Sequence, residues 1–175
     1  MQIKLPKPDL LIWWKKHSPR LLAMSWVSGM LLGGIAAASA GDYLVSLMRQ
    51  GAVCSASISG LLAAVLLPFL LSAFAVYLHE PWLLLIISAF KAFGFGFCAF
   101  AVGLAFGQSS WLVRFLFLFS DVSLMPVLYL YWLRHIQPDV SHRPWEIPGC
   151  VCIALLLGWI DYCYIAPFLV SVLES

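Results

Sequence analysis

Charge is what this chain has least of. Ten basic and eight acidic side chains among 175 residues make 10% of the sequence, while 63% is hydrophobic. A soluble domain of average make-up carries about a quarter charged residues. So little polar surface excludes a water-soluble fold of this size, and the solvent for most of the chain must be lipid. Catalytic signatures are missing as well. The sequence holds no Walker loop, no HExxH and no GxSxG. His79 and Glu80 are adjacent beside Pro81 but have no partner motif, so a non-enzymatic protein is expected. Cysteine is sparse and odd in number (Cys54, Cys98, Cys150, Cys152, Cys163), which argues against a disulfide framework. No histidine cluster stands near these cysteines at ligand spacing, so neither metal nor cofactor is expected, and the thiols read as small apolar filler. Nothing points to nucleic acid. The basic N-terminal residues are better explained by membrane topology and anionic lipid.

What is present is a series of long apolar runs. A helical span needs about twenty apolar residues. Five stretches qualify: 20–40, 57–77, 81–107, 111–133 and 147–171. Backbone amides in lipid must be satisfied within their own segment, so these predict an all-α, polytopic bundle of about five helices. The organisation expected is a basic tail, 1–19, and a single transmembrane domain, 20–175. Residues 41–56 are too short and polar to span, but predict a short interfacial helix around DYLVSLMRQ. Five of the ten basic residues are Lys4, Lys7, Lys15, Lys16 and Arg20, while the 41–56 loop has only Arg49. That imbalance places the N-terminus in the cytoplasm and the C-terminus outside. Trp13, Trp14, Trp82, Trp111, Trp132 and Trp145 fall near span ends, where interfacial belts form. The competing reading of the first apolar run as a cleaved secretory signal, with Ala-Ser-Ala before Gly41, is disfavoured by its length.

Two patterns bear on packing. Ser25, Gly29, Gly33, Ala37 and Gly41 recur every four residues and form one flat helical face, and Ala99, Gly103 and Gly107 form a second row. Small faces let helix backbones approach closely, the main source of association in lipid. The first face predicts packing within the bundle or, more sharply, docking of a partner. Gly94, Gly96 and Pro126 are candidate kink points, with Pro68 and Pro167 behind them.

Four ionisable residues lie inside spans: Lys91, Arg114, Asp121 and Asp161. Arg114 is close enough to a span end to snorkel. Each of the others costs about 2.5–3.5 kcal/mol at mid-depth on insertion scales. The cheapest relief is mutual, which predicts a polar centre of Lys91, Asp121 and Asp161. Such a centre is either a latch that selects which helices meet or a path for an ion or proton. No ladder of acids or histidines leads from it to either face, which favours the latch.

These same residues carry a family resemblance. LLLIISAFKAFGFGF places Lys91 five residues before Gly96-Phe97 in a middle span, with Ala92 where a glycine is usual. FLFSDVSLMPVLYL supplies Pro126, with Asp121 where an asparagine is expected and Phe119 in place of an earlier proline. WIDYCYIAP puts Asp161 before an aromatic-rich turn and Pro167. Over roughly residues 60–172 the order of these features resembles the stage II sporulation protein M family, apart from a shorter 41–56 loop. The resemblance implies a multi-pass protein of the bacterial cytoplasmic membrane. It implies a scaffold that holds membrane-anchored, peptidoglycan-degrading partners at the septum during engulfment. The alternative expectation is a small transport component, a substrate-binding or permease subunit.

Overall fold

In a computed structural model of the chain, the described residues are 8–50, 58–78, 80–105, 115–116, 118–136, 146–165 and 167–168. They form five α-helices: α1 (Pro8–Gln50), α2 (Ile58–Tyr77), α3 (Pro81–Ala105), α4 (Phe119–His135) and α5 (Glu146–Ile160). A π-helical turn, Asp161–Ile165, extends α5. No strand occurs among the described residues. The all-α expectation holds. Three stretches, Lys16–Gly41, Pro81–Ala105 and Pro148–Ile165, are long and apolar enough to cross a membrane. Their outer faces carry large apolar side chains in the open, among them Leu31, Ile35, Phe90 and Trp159, as lipid-facing surfaces should.

The helices alternate in direction. Ser25 of α1 meets Ser88 of α3 through their hydroxyls at 2.8 Å, and further along Gly33 meets Phe93 and Phe97. α1 and α3 therefore run parallel. The Trp14 indole near the start of α1 donates to the Ile136 carbonyl at the end of α4, 2.9 Å away. Glu146 at the start of α5 pairs there with Arg134. The Trp132 indole donates to Ser72 Oγ at 2.7 Å, which sets the last turns of α2 beside those of α4. Residue 8 and residue 168 consequently belong to opposite ends of an up-down bundle of these five helices.

Several boundaries differ from the sequence expectation. α1 begins at Pro8, so residues 8–19, read as a tail, are its opening turns. Proline suits that position because its missing N–H has no partner in a first turn anyway. Trp14 and the buried Ser18 draw this segment into the bundle. From Pro8 to Ala40 α1 is about 50 Å long, well over the hydrocarbon thickness of about 30 Å, so part of it must lie outside. The break is at Gly41, whose φ of 46° and ψ of −128° suit only glycine. Beyond it residues 42–50 are helical, matching the short helix expected there; 51–56 lie outside the described residues. Described α4 starts at Phe119 rather than 111, and Arg114 and Trp111 are not described.

Gly41 gives a clean test of backbone strain. A Cβ there would meet nothing within 4 Å, so only the dihedral opposes a side chain. Gly41→Ala is expected to lose about 1–3 kcal/mol in thermal unfolding. Gly103→Ala meets equally open space within the unbroken α3 helix and is expected to be neutral or slightly stabilising.

Candidate functional site

The middle of the bundle is organised by α1 and α3. Gly29 faces the Ala89 carbonyl and the Ala92 Cβ, and Gly33 faces the Phe93 carbonyl and the Phe97 amide. Across the seam Gly96 faces the Met30 backbone. A Cβ added at Gly33 would lie 2.8 Å from the Phe97 nitrogen, and one at Gly96 2.8 Å from the Met30 Cα. The backbones touch. Ser25 and Ala37 lie on the same face, and Ala37 is fully buried. The small-residue face of α1 is thus a packing seam filled by α3. It is not an open surface for a partner. Gly41 does not belong to it, because the helix breaks there with nothing near its Cβ. The half of the seam on α3 is Ser88, Ala92 and Gly96, spaced like the α1 face. The row Ala99–Gly103 does not take this role: Gly103 has no neighbour within 4 Å of its Cβ, and Gly107 is not described.

This seam corrects one expectation. Gly94 and Gly96 do not kink α3, which is helical from Pro81 to Ala105 with no glycine at positive φ. Gly96 is small because another backbone passes over it. Gly94 faces open space, and nothing in the structure explains its identity. Pro126 stays inside α4 without ending it, and Pro68 does the same in α2.

On the flank of α3 beside this seam, about 100° round from Ala92, Lys91 reaches α4. Its Nζ donates to Asp121 Oδ1 at 2.5 Å, with side-chain exposures of 15% and 30%. Lys91 lies ten residues beyond Pro81, about 15 Å into the bundle, and Asp121 lies about 21 Å from His135 at the same end. The long lysine stem closes the gap in depth. Asp161 sits at a similar level, about 22 Å beyond Glu146, at the first position of the π-helical turn. It lies within electrostatic reach of Asp121, as the Cys98 thiol does of both partners in the pair. Asp161 makes no ion pair with Lys91. Of the polar centre expected from mutual relief, Lys91 and Asp121 form the ion pair, and Asp161 stands near it as a neighbouring acid.

Beside the pair, between α1 and α4, runs a lateral groove of about 480 Å³. Trp26, Val27, Phe95, Met125 and Tyr129 line it, so its walls are bulky and apolar. No charged side chain lines it. The Trp26 indole N–H is buried without a hydrogen-bond partner, its ring set edge-on to Tyr129 and Trp132. Trp132 itself is fully buried, so it is a core residue rather than part of an interfacial belt. Trp13 and Trp82 are about half exposed near the ends of their helices, as a belt requires.

A second charged group, at the end of the bundle where α4 stops and α5 starts, had no signature in the sequence. Arg134 Nη2 lies 2.6 Å from Glu146 Oε1, and His135 Nε2 lies 3.5 Å from Glu146 Oε2. Among the described residues no group of His, Cys, Asp or Glu is arranged to hold a metal ion. The four described cysteines, Cys98, Cys150, Cys152 and Cys163, are free thiols.

No family model matches this chain, and no characterised protein or solved structure does either. The apolar helices define a membrane protein by length and composition.

Proposed function

We propose that this chain is a non-catalytic, multi-pass scaffold of the bacterial cytoplasmic membrane, with its N-terminus inside and its C-terminus outside. Its task on this reading is that of the sporulation family it resembles: to hold membrane-anchored, peptidoglycan-degrading partners at the septal membrane during engulfment. The observation that carries the reading is the closed Lys91–Asp121 pair. A transport site should gather polar groups from several helices around a cavity, whereas here the ion pair is satisfied within the bundle and the adjoining groove is apolar. The basic residues Lys15, Lys16 and Arg20 at the start of α1 support the orientation. Since α3 fills the glycine face of α1, partner binding falls to other surfaces of the bundle.

The experiment is a deletion in the source organism, scored for two phenotypes. Arrest at engulfment with unchanged solute uptake is the expected result. Normal spores with a nutrient-specific uptake defect would replace the scaffold by a transport subunit. Cysteine-accessibility mapping checks the topology separately: single cysteines placed before residue 8 and after residue 168 should label from opposite sides of the membrane.

A further inference from the structure

We propose that His135 is a proton-operated clasp that fastens the end of α4 to the start of α5. The ring is buried, with its side chain 3% exposed. Its Nδ1 lies 2.8 Å from the Tyr131 carbonyl oxygen, and a carbonyl can only accept, so Nδ1 carries a proton. That leaves Nε2 to face the Glu146 carboxylate at 3.5 Å. In the neutral ring Nε2 is a lone pair turned toward an anion. In the imidazolium it is a donor turned toward an acceptor. The contact is attractive in one protonation state only, and histidine is the side chain whose ordinary titration falls between pH 5 and 8.

The surroundings make this contact matter. Both Glu146 oxygens are shut away from solvent, and neither takes a hydrogen bond of acceptable geometry. Among the described residues the carboxylate's cationic partners are Arg134 and His135. From α4, Tyr131 stacks on the His135 ring at 4.2 Å between centroids, and its buried hydroxyl has no hydrogen-bond partner. From α5 come Glu146 and, within electrostatic reach of it, Cys150. From α1, Trp14 holds the Ile136 carbonyl next in the chain, and the buried Ser18 follows one turn along. From α2 the neighbour is the uncharged Phe69, set edge-on to Tyr131. Among the described residues Arg134 is the cation left to balance Glu146 at high pH, through a side chain that is 43% exposed and therefore screened. The proton on His135 supplies the buried half of the compensation.

The sign follows from the geometry. Lowering pH closes the clasp, and raising pH removes the proton and leaves the Nε2 lone pair opposed to the carboxylate. Purified full-length protein in lipid nanodiscs should melt at a lower temperature at pH 8.5 than at pH 6. The fall is expected to be roughly 2–4 °C greater in the wild type than in His135→Gln. Equal falls in the two proteins would overturn the proposal. Should His135→Gln not fold, nitrogen-15 NMR of the His135 ring gives the answer directly, with His17, His79 and His142 replaced by Gln. Two protonated nitrogens at pH 6 and one at pH 8.5 are expected. A ring neutral at pH 6, or doubly protonated at both values, would sink the clasp.

Discussion

Lys91→Ala is expected to abolish most of the folded protein. Asp121 would then hold a carboxylate in the middle of the bundle with the lysine paired to it gone. Breaking a fully buried pair from one side costs about 3–5 kcal/mol; this part-buried pair should lose a share of that, which is large against a total stability of about 5–15 kcal/mol for a typical protein. The loss should appear as a sharp drop in both membrane yield and thermal midpoint. Asp121→Ala should behave alike, since it strands the lysine instead. The reciprocal exchange, Lys91→Asp with Asp121→Lys, should recover much of the yield because it rebuilds the pair between the same two helices. Lys91→Asp with Asp161→Lys should not, because no ion pair joins Asp161 to position 91. Recovery by the second exchange and not the first would mean that the pairing is assigned to the wrong acid.

An apolar replacement separates the two uses of such a pair. Lys91→Met with Asp121→Leu removes both charges and keeps side-chain bulk. Replacing a buried ion pair in this way is often neutral or stabilising by 1–4 kcal/mol. A latch should therefore tolerate it, with membrane yield and thermal midpoint intact and, on the scaffold reading proposed above, engulfment unchanged. A protein that folds normally with this double change and loses its activity would show the charges to be used for more than holding α3 to α4.

Why the pair was legible and its third member was not has a physical reason. Hydrocarbon makes an isolated charge so costly that a mid-span lysine demands a mid-span acid, and composition alone enforces this. With two acids and one lysine, however, cost does not say which acid is taken. Helix rotation decides, and a slip of one residue turns a side chain by about 100°. The π-helical turn at Asp161 changes that rotation locally, and no residue pattern announced it. The Arg134–His135–Glu146 group escaped notice for the opposite reason. Charges at span ends are inexpensive, so their presence there raises no question, and only the fold brings Glu146 back across the connection to His135.

The packing seam was half legible. Ser25, Gly29, Gly33 and Ala37 mark a close approach on α1, yet the same spacing on α3, Ser88, Ala92 and Gly96, is masked in sequence because Gly96 reads equally well as a kink point. A glycine in a lipid-embedded helix is ambiguous in sequence between bending and yielding space. The unbroken backbone of α3 decides for space.

That decision carries the second large expectation, at Gly33. In Gly33→Leu the new Cβ would strike the Phe93 carbonyl and lie 2.8 Å from the Phe97 nitrogen. Both atoms belong to the α3 backbone and cannot swing away as a side chain would. Overpacking a core commonly costs 1–3 kcal/mol, and a backbone collision belongs at or above the top of that range. α1 must then withdraw from α3, which also breaks the Ser25–Ser88 hydroxyl contact. Gly96→Leu meets the Met30 backbone from the other side and should do the same damage. Gly34→Leu and Gly94→Leu are the controls: the first has only the flexible Phe100 ring at 3.8 Å from its Cβ, and the second has nothing within 4 Å. The readout is a disulfide between Ser25→Cys and Ser88→Cys, with the native cysteines replaced by alanine. It should form readily with Gly33 intact and in both controls, and fail with Leu at position 33 or 96. Equal cross-linking in all of these proteins would mean that α1 and α3 do not meet backbone to backbone. The glycine face of α1 would then be open to a partner after all.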